Sequence, residues 1–121
     1  TRDDALVMVI GSPGGPRIIT TVLQVILNVV DHRMSLADAI AAPRLHHQWL
    51  PDTLFVEPAR LPEAARAALE ARGHRIAEGR PWGHAAGILV GGPALDAPAA
   101  NIDRYFGFDD PRGALGEAAG H

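Results

Sequence analysis

The sequence predicts an α+β domain, and three observations carry that reading. An uninterrupted apolar run, Ala5–Ile10, stops at the glycine cluster Gly11-Ser-Pro-Gly-Gly15. Two helical segments follow it in succession. Beyond them come short segments bounded by glycine and proline and spaced for hairpin pairing, an arrangement that layers helices on an antiparallel sheet.

The elements follow in chain order. Ala5–Ile10 lacks polar alternation, so as a strand it is expected to be covered on both faces. Pro16 suits a first helical turn, where its missing N–H costs nothing. From Pro16 to His32 the polar residues Arg17, Thr20, Thr21, Gln24, Asn28 and Asp31 form one narrow stripe on an otherwise apolar circumference, the mark of a buried helix. Its β-branched residues lower helix propensity, so packing must hold it in shape. Ser35 opens a second helix with Asp38 as its capping-box partner, and Pro43 ends it near Ala42. Arg44–Pro51 reads as an irregular connection and Thr53–Glu57 as a strand. Pro62 begins a third helix that runs through Ala71, with Gly73 at its C′ position. His74–Glu78 and His84–Val90 read as strands, Gly91–Ala100 as a loop and Asp103–Phe108 as a final strand. A doubly covered first strand needs neighbours on both sides, and the chain offers few. Residues 1–121 therefore read as a single unit, without internal boundary, from the end of a larger domain.

Composition narrows the function. A formal charge of −3 provides no basic footprint for nucleic acid. No apolar run is long enough to cross a membrane, and the polar, acidic start Thr1-Arg-Asp-Asp4 is unlike a signal peptide. The absence of cysteine excludes a disulfide framework, a thiol nucleophile and a zinc–thiolate site.

The glycine cluster is the chemically expressive segment. Consecutive Gly14 and Gly15, at the start of a helix, present bare backbone N–H groups to a negative charge. Two readings stand side by side: an anion or oxyanion site, and a sharp strand-to-helix turn that merely needs glycine. Ser12 is not in a Gly-x-Ser-x-Gly elbow, so its hydroxyl is expected to bond nearby backbone instead of attacking a substrate.

Gly11-Ser-Pro-Gly-Gly15, Arg17-Ile-Ile-Thr-Thr-Val-Leu-Gln24, Met34-Ser-Leu-Ala-Asp-Ala39, Ala42-Pro-Arg-Leu-His-His-Gln-Trp-Leu-Pro-Asp52 and Asp110-Pro-Arg112 with Gly113 and Ala114 occur here in one order. Together they resemble the γ-glutamyltransferase (γ-glutamyltranspeptidase, glutathione hydrolase) family over essentially the whole chain. The resemblance implies part of an N-terminal-nucleophile hydrolase αββα sandwich, incomplete here, with antiparallel sheets between helix layers. It implies a self-cleaving precursor whose small subunit begins with a nucleophilic threonine. That threonine takes the γ-glutamyl group from glutathione or a related amide and passes it to water or to an amino-acid or peptide acceptor. Gly14 and Gly15 match the family's oxyanion-hole glycines, which bind substrate through their backbone N–H groups.

By the same resemblance, this chain is the C-terminal portion of the small subunit. Its partners are the large subunit and the remaining N-terminal part of the small one. The threonine, the Asn, Gln and Asp that hold the glutamyl α-groups, and a Ser-Ser pair are expected upstream, so the chain alone is expected to be inactive. The resemblance implies neither a cofactor nor a catalytic metal, and many family members are periplasmic, secreted or at the cell surface, with a cytoplasmic location as the alternative. Alternatives of another class are a non-catalytic remnant or interaction module, and an anion-binding domain.

Other residues invite functional readings. Thr1 does not lie in a segment like that of the family's nucleophile. Adjacent His46 and His47 in an extended segment point to opposite faces, which disfavours joint chelation with His32. Arg44 is expected to pair with a carboxylate and Trp49 to cover a core edge. Asp109, Asp110 and Arg112 read as a terminal turn with a salt bridge more than as an acid/base cluster. Arg17 lies one turn from the glycine loop, either tuning its field or engaged in a solvated or salt-bridged contact.

Overall fold

The computed structural model describes Thr1, residues 5–95 and residues 104–113. Strand β1, Met8–Gly11, leads through the glycine cluster into helix α1, Arg17–Val30, and helix α2, Leu36–Ala41. Strand β2 (Leu45–His46), strand β3 (Leu54–Val56), helix α3 (Glu63–Ala71) and strand β4 (Ile76–Glu78) follow. Strands β5, Ala86–Val90, and β6, Tyr105–Asp109, complete the described elements.

The strands form two three-stranded sheets, ordered β1-β5-β6 and β2-β3-β4. In the first, both pairs are antiparallel, with Val9 opposite Ile88 and Ile88 opposite Gly107. In the second, β2 and β3 are antiparallel, but β3 and β4 run parallel, with Phe55 opposite Ala77. Helix α3 is the crossover that a parallel pair requires. So β4 and β5 do not form the hairpin that their spacing suggests; the Gly/Pro/Trp segment between them passes from one sheet to the other.

The core lies between the first sheet and the first two helices. Val25 and Val29 of α1, Leu36, Ala39 and Ile40 of α2, and Ala85 and Leu89 around β5 form its buried centre. Met8, Ile10 and Phe108 pack against it. The opposite face of this sheet is open: Val9, Ile88 and Tyr105 are all exposed. The expectation that β1 is covered on both faces is therefore not met among the described residues.

Helix α1 is oriented against simple amphipathic intuition. Its polar stripe turns inward. Thr21 is buried, and Gln24 exchanges two hydrogen bonds with the backbone of Leu45, at 2.7 and 2.8 Å. Thr20 Oγ1 lies 2.8 Å from His46 Nδ1. The apolar residues Ile19, Leu23, Leu27 and Val30 face outward, with Ile19 73% exposed. A helix this apolar is buried only if something outside the described residues covers that arc.

Local signals in the sequence are matched in detail. Ser35 caps α2, its hydroxyl oxygen accepting from the Asp38 N–H at 3.1 Å. Helix α3 closes at Gly73, which has φ +91° and donates to the Glu70 carbonyl. Trp49 departs from expectation: it is 77% exposed and covers no core edge. Its loop is held by contacts among Gln48, Leu50 and His47 that turn the indole outward. The C-terminal part of the expected Gly91–Ala100 loop, Asp103 and Ala114 lie outside the described residues.

Candidate active site

The glycine loop joins the C-terminal end of β1 to the N-terminus of α1. Gly14 has φ +142° and Gly15 φ +57°, conformations that side-chain-bearing residues rarely adopt. A Cβ would meet nothing closer than 3.9 Å at Gly14 and nothing within 4 Å at Gly15. Backbone conformation, and not space, therefore demands glycine at both positions.

The carbonyls of the two glycines accept from the N–H groups of Arg17 and Ile18, at 3.2 and 3.1 Å, which starts the helix. Their own N–H groups donate to no acceptor among the described residues, and both glycines are exposed. Pro16, at the N-cap, has no N–H and no capping side chain. Two consecutive unengaged amides thus stand at the positive end of a 14-residue helix.

Ser12 and Arg17 shape this loop. Ser12 Oγ donates to the Pro13 carbonyl at 2.8 Å and accepts from the His84 N–H at 3.2 Å. The serine thus bonds backbone, as its sequence context predicts. Arg17 places its guanidinium carbon 4.8 Å from the Trp82 ring centroid and 5.4 Å from that of Phe55. That contact seats the guanidinium against two aromatic rings beside the loop.

Beneath the loop lies a buried charge network. Arg44 donates to the carbonyls of Trp82 and Ile40 and to Asp110 Oδ2. Arg112 donates to Glu57, to Asp110 Oδ1 and to the carbonyls of Ile40 and Ala42. Burial pushes the Arg44 pKa down, only partly opposed by Asp110. Burial also opposes ionisation of Asp110, but the N–H groups of Ala85 and Arg112 and the Arg44 guanidinium outweigh it and hold the carboxyl below its usual range. Arg112 is likewise penalised by burial, but Glu57 and Asp110 raise its pKa above the ordinary value.

Arg44 has the carboxylate partner its sequence context predicts. Asp110 and Arg112 form the expected salt-bridged turn, at 3.1 Å, and Asp109 is separate, 2.7 Å from His84 Nε2. Sequence reasoning missed Glu57, Gly83 and the His84 backbone as parts of this assembly. No local pattern marks them, because each matters only through a contact distant in sequence. His46 and His47 have different partners, Thr20 with Gln48 for the first and Asp52 for the second. Among the described residues, no helix is long and apolar enough to cross a membrane.

A family model described as gamma-glutamyltranspeptidase matches residues 1–119. The glutathione hydrolase proenzyme of Pseudomonas sp. (strain A14) is 41% identical over 121 residues, covering 100% of this chain and 21% of that protein. Its counterpart in Escherichia coli (strain K12) is 41% identical over 120 residues, covering 99% of this chain and 19% of that protein. A mutant gamma-glutamyltranspeptidase of Helicobacter pylori, solved as a crystal structure, matches with a TM-score of 0.81 at 39% identity, covering 93% of this chain and 57% of that one. The chain thus spans about a fifth of the curated relatives' length and carries part of an N-terminal-nucleophile hydrolase fold. By its sequence over residues 1–119 and by its fold, the chain belongs to the gamma-glutamyltranspeptidase family.

Proposed function

We propose that this chain supplies the oxyanion-stabilising loop of a γ-glutamyl-transferring enzyme, with the N–H groups of Gly14 and Gly15 as donors. The observation that carries the reading is the pair of exposed, unengaged amides at the N-terminus of α1. Membership in a family whose relatives are glutathione hydrolase proenzymes supports it.

In this reading a threonine hydroxyl from another segment of the protein attacks the γ-glutamyl carbonyl of glutathione or a related amide. The carbonyl electron pair moves to oxygen, and the two amides stabilise the resulting charge. Collapse of the tetrahedral adduct breaks the C–N bond, and the proton from the threonine leaves with the amine. Water or an amino-acid or peptide acceptor then releases the glutamyl group. Losing one donor of this kind costs about 2.7–4 kcal/mol of transition-state stabilisation. The outward apolar residues of α1 and of the first sheet fit burial against the large subunit and the rest of the small subunit.

The test is release of a chromogenic amine from a γ-glutamyl anilide by the full-length gene product. Alanine at position 14 or 15 keeps the N–H but strains the backbone; proline deletes the N–H as well. Turnover is expected to fall with alanine and to fall about a hundredfold further with proline. Equal turnover in the alanine and proline variants would remove the donor assignment. The chain alone is expected to release no amine, and turnover by it would remove the claim that the nucleophile lies elsewhere.

A further inference from the structure

We propose that Ser12 is a positioning residue that aims the Gly14 N–H, acting through the Pro13–Gly14 peptide group. The inference rests on the oxyanion reading above and names a side chain that sets the direction of one donor. The Pro13 carbonyl and the Gly14 N–H belong to the same planar unit, and the single cis peptide among the described residues is Leu50–Pro51. In a trans peptide the C=O and N–H point in opposite directions. Ser12 Oγ donates to that carbonyl at 2.8 Å. Holding the carbonyl towards Ser12 therefore holds the Gly14 N–H away from it. A carbonyl that accepts a hydrogen bond is also polarised, which strengthens the N–H on the other side of the same peptide as a donor.

The hydroxyl is itself anchored. It accepts from the His84 N–H at 3.2 Å, and that N–H lies within a segment fixed at both ends. Arg44 Nη1 donates to the Trp82 carbonyl at 2.7 Å, and Asp110 Oδ2 accepts from the Ala85 N–H at 2.9 Å. Arg44 and Asp110 are bonded to each other, so one buried ion pair brackets residues 82–85. Between them Gly83 has φ +73°, and a Cβ there would lie 3.0 Å from Ser12 Oγ and 3.2 Å from Arg44 Nη1. The absent side chain lets the serine reach the His84 N–H. The path runs from Asp110 and Arg44 through the 82–85 backbone to Ser12, then to the Pro13–Gly14 peptide.

A hydroxyl is required because the position needs a donor and an acceptor on one atom. Threonine meets that need, cysteine meets it weakly and alanine does not. The full-length gene product carrying Ser12→Ala, Ser12→Cys or Ser12→Thr is assayed on a γ-glutamyl anilide, with rates normalised to the amount of self-processed enzyme. Ser12→Ala is expected to lower kcat about tenfold with KM within about twofold of the parent. Affinity for a γ-glutamyl boronate, which forms a tetrahedral adduct, should fall by the same factor. Ser12→Thr should restore both, and Ser12→Cys should lie between.

If Ser12→Ala does not fold or process, the cysteine variant carries the same expectation of lower kcat at unchanged KM. Parental kcat in the alanine or cysteine variant overturns the proposal, as does a loss of kcat that leaves boronate affinity intact. If proline at position 14 lowers turnover well below alanine at the same position while Ser12→Ala retains parental turnover, the role of Ser12 falls and the oxyanion reading stands. If proline variants at both glycines keep parental turnover, the oxyanion reading falls and takes this inference with it.

Discussion

Arg44 and Asp110, 66 residues apart in sequence, form an ion pair at 2.5 Å with side chains only 2% and 0% exposed. The pair ties the start of β2 to the turn after β6, and so joins the edges of the two sheets. Further hydrogen bonds run from Arg44 to the carbonyls of Ile40 and Trp82, and to Asp110 from the Ala85 N–H and from the N–H and guanidinium of Arg112. Desolvation is therefore offset by several directed contacts and not by one charge alone.

Arg44→Met is expected to destabilise the fold by about 3 kcal/mol, the low end for breaking a buried pair, because Asp110 stays buried with only the Arg112 guanidinium and the Ile40 and Trp82 carbonyls lose a donor. Urea unfolding of the protein measures this as a shift in midpoint. Arg44→Lys should recover little, since a single ammonium does not reproduce a fork that reaches Asp110 and two carbonyls. Full recovery with lysine would show that the fork geometry is dispensable.

The same pair sets an acid limit on stability. In the folded chain Asp110 holds its proton more weakly than in the unfolded chain, because Ala85, Arg112 and Arg44 outweigh its burial. The unfolded state therefore takes up protons first as pH falls. The contribution is complete above the unfolded value and is lost progressively below about pH 4. Unfolding free energy measured from pH 7 downward should show this decline, and Asp110→Asn should be less stable at neutrality with a shallower decline. An unchanged acid slope in the asparagine variant would exclude Asp110 as its source.

Helix α2 offers a smaller and more local test. Ser35→Ala removes the acceptor of the Asp38 N–H and is expected to cost about 1 kcal/mol. Ser35→Asn should retain most of the stability. The Ile40 carbonyl of this helix accepts from both Arg44 and Arg112, so fraying would loosen the network as well. A thermal midpoint indifferent to alanine at position 35 would show that packing alone holds α2.

Helix ends and tight turns were legible because their causes lie within a few residues. Ser35 with Asp38, Gly73 after α3 and the glycine loop before α1 each answer a local demand for a hydrogen-bond partner or an unusual dihedral. Arg44 was legible as a cation needing a carboxylate. The identity of that carboxylate was not, because many acidic residues satisfy the same local rule. Trp49 was misjudged because its size suggests burial, whereas the hydrogen bonds of its loop turn it outward. The parallel pairing of β3 with β4 also escaped, since hairpin spacing describes short strands equally well when a helix such as α3 connects them.

By itself the sequence determined that a glycine turn would lead into an apolar helix and put two consecutive glycines at its start. Family resemblance attached a chemistry to their amides. Only the tertiary structure decided what holds them: Ser12 on the Pro13 carbonyl, the His84 N–H on Ser12, and the Arg44–Asp110 pair beneath. It also decided that the polar stripe of α1 faces inward, onto the backbone of Leu45 and the ring of His46. The division has a physical basis. Dihedral preference and capping act between neighbours along the chain, whereas the strength of a buried charge or hydrogen bond is set by what packing excludes from around it.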